Sequence, residues 1–248
     1  MVVVTKDSVH PGDAPGAAPT LPPTPRLGKS LRAALADLYF NSRRLVPLNL
    51  IWGVLLLAIL AGVGVWSVGA LAAVPLLALP QVAMARVAAL IVREQSVSLA
   101  NGLGAARRQF VPAIGLGAVI SVAFVVLAFN LWAGITDGGL VAVALATLAG
   151  WGLAMLAVFS TAVWPLLVDP EREDRPVRDR IKLAGLLLVA HPRRMFTLAA
   201  VLVVFLALST AAFAALLTVS VALATQVAAR YVLPAADRLE ARLAARAD

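Results

Sequence analysis

The sequence predicts an all-α, polytopic helical membrane bundle with six transmembrane helices, five if its last apolar block is a single helix, plus interfacial helices. Three observations carry that prediction. Of its 248 residues, 61% are hydrophobic and only 14% are charged, more apolar surface than a water-soluble domain of this size can hide. The apolar residues fall in unbroken runs of about 20 or more, too long for barrel strands, and backbone in lipid must pair internally, which leaves helices. Lysine and arginine gather at alternate ends of those runs, as the positive-inside rule requires.

Residues 1–28, rich in Pro, Gly and Ala, hold too few apolar side chains to order themselves and are expected to form a disordered tail. Lys6 and Asp7 interrupt the one apolar start, so these residues do not read as a signal peptide. Residues 29–44 read as an interfacial amphipathic helix. Ser30 is placed to cap it, and Leu31, Leu35, Leu38 and Tyr39 recur at helical spacing.

The bundle is expected over residues 45–233. Arg43 and Arg44 precede an uncharged run from Leu45 to Val65, which as a helix rises about 31 Å and so crosses a bilayer's hydrocarbon core. This span (45–66) and the next (69–92) form a hairpin whose two ends both meet arginine, the second at Arg93. The polar, basic loop Glu94 to Gln109 reads as an interfacial helix. Its S-L-A-N-G-L-G-A-A-R-R-Q-F resembles, without the acidic start, the coupling segment by which ABC importer permeases dock on their ATPase.

The third and fourth spans, 110–133 and 139–168, are joined by G-I-T-D-G-G, which has no basic residue. The charged stretch that follows, including Glu171, Arg172, Glu173, Asp174 and Arg175, reads as a solvated loop. A helix over 177–190 is too short to span and should lie in the interface.

Met195 to Val232 is longer than one membrane can bury. Two spans, 194–211 and 213–233, with a turn around Ser209 to Phe213, put all 21 Lys and Arg on one face, whereas a single span would export the C-terminal tail. Residues 234–248 are then a C-terminal cytoplasmic helix beginning at Pro234. Trp66 and Trp132 fall at outer ends, Tyr39, Trp164 and Tyr231 near inner ends, and Trp52 and Trp151 at depths that suit packing.

The polar residues inside the spans are the candidate sites. Arg86 is the one charge drawn within a block. It either snorkels to the inner surface or contacts an anion. Asn49, Gln81 and Asn130 are candidate intramembrane polar contacts, bonding between helices or facing a substrate. Pro75 and Pro80 can kink the second span. Ala146, Gly150 and Ala154, spaced four apart, make a candidate helix-packing strip, as do Ala58 and Gly62 in the first span.

The chain has no cysteine and two distant histidines, His10 and His191, and no span holds a pair of carboxylates. No catalytic residue, metal ligand or cofactor site is therefore expected, and without a P-loop the chain cannot power transport itself. The net charge of +8 is what inward-facing loops require, so no nucleic-acid partner is implied. Its expected partner is anionic lipid at the cytoplasmic face of the membrane, with both termini on that side.

Several segments, in order, resemble the YesL family of bacterial membrane proteins. They are L-V-P-L-N-L-I-W (Leu45 to Trp52), V-R-E-Q-S-V-S-L-A, A-R-R-Q-F, A-V-W-P-L-L-V (Ala162 to Val168) and I-K-L-A-G-L-L-L-V-A-H-P (Ile181 to Pro192). The chain departs from the family pattern after Trp66, where Ser67, Val68 and Gly69 stand in place of a Gly-Pro pair, and lacks a glycine near Ser220. The resemblance implies a five- or six-span helical membrane protein of a family whose biochemical role is not established and whose members are often encoded beside carbohydrate ABC-transporter genes. Together with the charge asymmetry it leads to the expectation of a non-enzymatic accessory or scaffold associated with carbohydrate uptake, with an ABC transporter or other membrane protein as partner. The alternative from the residues alone is a passive or secondary transporter for a small neutral solute, whose cavity Asn49, Gln81 and Asn130 would line.

Overall fold

The computed structural model describes residues 26–247, and six of its helices are long and apolar enough to cross a membrane. The tail expected over 1–28 lies outside the described residues, apart from its last three, together with His10. Helix α1 runs from Leu27 to Phe40 with Arg26, not Ser30, at its N-cap. Ser30 sits inside the helix, its hydroxyl buried without a partner. Ala34 and Leu38 face the bundle, while Leu31, Leu35, Tyr39 and Phe40 face out as an interfacial helix requires.

The first span is α2, Ser42–Val63. The second is broken: α3 (Ser67–Ala73), a 3-10 turn at Val74–Leu77 containing Pro75, and α4 (Ala78–Val92) containing Pro80. Proline cannot donate a backbone bond, which explains the tightened segment. Ser98 caps α5 (Leu99–Arg108) by accepting from the Asn101 amide at 3.1 Å. This helix lies tightly on α4, where a methyl group on Gly102 would come within 2.9 Å of the Ala83 carbonyl oxygen.

Helices α6 (Phe110–Asp137) and α7 (Leu140–Leu167) form the long hairpin. The third span extends beyond the expected boundary at 133, because the chain stays helical until Gly138, which turns it at φ +66°. After a 3-10 turn at Pro170–Arg172 come α8 (Val177–Ala190) and α9 (Pro192–Ala211).

The last block divides at Ala212, so the spans number six. Its second part starts with α10 (Phe213–Ala215), widens into a π turn at Leu216–Ser220, and continues as α11 (Val221–Ala247). Pro234, expected to separate the sixth span from a C-terminal helix, lies within the unbroken α11.

That sixth span is the axle of the bundle. Its apolar window is 78% buried by the protein, against 11% for α6 and 17% for α7, and α11 packs on α1, α2, α4, α7, α8 and α9. The core around it is built from Leu48, Met84, Leu166, Leu187, Leu198 and Leu233. Helices α6 and α7 pack chiefly on each other, and large side chains such as Val122, Phe129, Leu148 and Trp151 face outward. That surface is stable only in lipid. Trp151, expected as a packing residue, is exposed, with its ring edge-on to Phe196 at 6.4 Å.

Candidate functional site

Two polar assemblies run along the central helix, one at membrane depth and one at its charged end. The first begins at Asn49, which is fully buried. A π turn leaves backbone groups of the sixth span without their usual partners. Asn49 supplies them: its amide nitrogen donates to Leu216 O at 3.1 Å and Leu217 O at 2.7 Å, and its oxygen accepts from the Ala222 amide at 2.7 Å. Gly53, one turn further along α2, permits the approach. A methyl group there would stand 2.8 Å from the Leu217 carbonyl oxygen.

The line continues toward the charged end. Gln81 Nε2 donates to Thr225 Oγ1 at 3.0 Å, joining the second span to the sixth. Gln226 Nε2 donates to Asp37 at 2.8 Å, and the Arg230 guanidinium pairs with the same carboxylate. This fastens α1 to α11.

At the charged end, Asp169 is completely buried and receives Arg93 through two bonds, Nε at 3.1 Å and Nη2 at 2.7 Å. Arg172, also buried, pairs with Asp169, with Asp237 at 2.6 Å and with Glu240 at 2.8 Å. Arg93 reaches Asp237 at 2.8 Å, closing the network across α4, the α7–α8 connection and α11. Burial alone would lower the pKa of Arg93 and Arg172, but bonds to Asp237 with Asp169, and to Glu240 with Asp237, outweigh it and raise both. The stretch read as a solvated loop is therefore an interior ionic clamp at Asp169 and Arg172. Its sign alternation looked like solvation, but the complementary charges lie on other helices.

Arg86 does not snorkel. Its guanidinium is buried, donates to Val168 O at 2.8 Å and pairs with Glu173 at 2.7 Å, and Arg180 donates to the neighbouring Leu167 O. Both arginines cap the C-terminal carbonyls of α7, where positive charge is favoured. Asn130 joins no other helix. It is exposed on α6 and returns its amide to its own Val126 O at 2.7 Å.

Of the candidate packing strip, Ala146 is buried against α6, where a methyl group on Gly134 would lie 2.7 Å from its Cβ. Gly150 is looser, its nearest neighbour being Leu131 at 4.0 Å, and Ala154 lines a groove instead. Gly62 approaches Ala70, but Ala58 faces out.

The groove, about 1020 Å³, lies between α6, α7, α9 and the Val74–Pro75 segment. Its walls are apolar apart from Ser121 and Ser160, and none of Asn49, Gln81 or Asn130 reaches it. Among the described residues, no group of three His, Asp or Glu is arranged to hold a metal.

The sequence pointed to Asn49, Gln81 and Arg86 but missed Asp37, Asp169, Arg172 and Asp237. One signal was available: Gln226, Arg230 and Asp237 recur four and seven residues apart, a polar stripe on one face of an otherwise apolar helix.

One-sided charge, an outward apolar surface and six spans closed around a buried polar line define a multi-pass helical membrane protein. No family model matches the chain, and no curated protein or solved structure shows significant similarity to it.

Proposed function

We propose that this is a non-enzymatic accessory or scaffold protein of the bacterial cytoplasmic membrane, of the YesL type. Both termini would be cytoplasmic, anionic lipid would meet the basic face, and the partner would be a carbohydrate uptake system.

The observation that supports this reading most is how the intramembrane polar groups are used. Asn49 and Gln81 hold helices together, Asn130 bonds its own helix, and the groove between α6, α7 and α9 is apolar apart from two serines. A path for a neutral, water-soluble solute would need polar groups facing a cavity. The outward faces of α6 and α7 offer surface for another membrane protein without disturbing the core.

The test is cross-linking in intact membranes, followed by purification in mild detergent and mass spectrometry. Recovery of permease or ATPase subunits of a sugar importer supports the proposal, and repeated recovery of the chain alone defeats it. Proteoliposomes that take up labelled neutral solutes faster than protein-free vesicles would favour the transporter reading.

A further inference from the structure

The groove between α6, α7 and α9 ends one turn short of an arginine on α9, Arg193. On α9, Phe196, Ala199, Ala200 and Val203 line it. Arg193 precedes Phe196 by three residues and Ala200 by seven, so it continues the same stripe by one turn toward the charged face. Arg193 and Arg194 are exposed, and neither has an acidic partner among the described residues, whereas Arg86, Arg93, Arg172 and Arg230 are all paired. From Arg193 to Val203 the helix rises about 15 Å, the depth of one leaflet of a hydrocarbon core about 30 Å thick.

We propose that the groove is the binding site of one anionic phospholipid of the leaflet at the charged face. Its phosphate would lie against Arg193, and one acyl chain would run along Phe196, Ala200 and Val203. The inference rests on the reading that anionic lipid meets the basic face, and it assigns that contact a place. Charge complementarity selects the occupant. An apolar furrow open to the bilayer must fill with hydrocarbon, and a basic side chain at its mouth favours a negative headgroup over a zwitterionic one. A transmembrane helix of a partner, or of a second copy, would leave Arg193 unanswered.

The test is native mass spectrometry of the full chain in mild detergent, titrated with dioleoylphosphatidylglycerol or dioleoylphosphatidylcholine. The wild type should retain one phosphatidylglycerol with an apparent affinity about tenfold or more above that for phosphatidylcholine. The R193Q/R194Q variant, altered only at exposed positions, should bind the two lipids equally. Ala200→Phe, which fills the groove, should weaken both.

A brominated phosphatidylglycerol added at one equivalent should quench Trp151, whose ring lies against Phe196, and the quenching should vanish in R193Q/R194Q and in W151F. Headgroup selectivity that survives in R193Q/R194Q refutes the site and leaves the lipid-facing reading standing. Equal binding of both lipids by the wild type refutes both. A species carrying a second copy or another polypeptide, released by Ala200→Phe, assigns the groove to a helix instead.

Discussion

Replacing Asn49 by alanine should be among the most damaging single substitutions inside the membrane. The side chain makes three bonds, at 3.1, 2.7 and 2.7 Å, to backbone groups of the π turn and the residue that follows it. Those groups surround a fully buried side chain in an apolar span, so removing the amide leaves them without these bonds. Hydrogen bonds between membrane helices average about 0.6 kcal/mol and reach about 1.7, and a buried group left unpaired costs about 1–3 kcal/mol, so the loss should be about 2–4 kcal/mol.

Reversible unfolding in mixed micelles measures the energy, and hydrogen exchange at the Ala222 amide reports the site. Asn49→Asp keeps an acceptor for Ala222 but turns a carboxylate toward two carbonyl oxygens, and should be at least as harmful. A loss below about 0.5 kcal/mol, the range of ordinary surface changes, with Ala222 still protected, would refute the account of the π turn.

Other sites make parallel tests. Gly53→Ala should cost about 1–3 kcal/mol, because its methyl group would meet the Leu217 backbone at 2.8 Å, while Gly150→Ala, with nothing nearer than 4.0 Å, should be neutral in the same unfolding assay. Asp169→Asn should cost about 3–5 kcal/mol by leaving Arg93 and Arg172 without their shared buried carboxylate, and should expose the 170–176 connection to limited proteolysis. A double-mutant cycle of Gln81→Leu and Thr225→Val should give a coupling of about 0.6 kcal/mol, and zero coupling would remove the bond as a tie between spans. Single cysteines replacing Thr136 or Arg108 should react with impermeant maleimide from opposite sides of the membrane, and labelling of both from one side would overturn the six-span threading.

Much of the architecture could be read in the chain because lipid imposes one dominant rule. A helix must be long and apolar enough to cross, and arginine fixes its direction. The break near Ala212 followed from that rule although neither glycine nor proline marks it. The continuity of α11 through Pro234 did not, because proline's ordinary effect on a helix says nothing of the packing against six other helices that supports this one.

The polar partners were less legible. Asn49 stood out as an amide in an apolar run, but its acceptors are backbone carbonyls at Leu216 and Leu217, which have no sequence signature. Asp169 and Arg172 could not be distinguished from a solvated loop, since their mates Arg93 and Asp237 lie 76 and 65 residues away. Asn130 looked like Asn49 by composition. The difference is only which side of its helix it occupies.

The order of synthesis gives the placement of α11 a biosynthetic consequence. Five spans leave the ribosome before it, and Asn49, Gln81 and Asp37 emerge with them while their mates on residues 216–230 are still to come. Until then the early spans wait in the bilayer with two unmatched amides and an unmatched carboxylate, which lipid cannot satisfy. The polar line therefore closes only once residues 216–230 have been made.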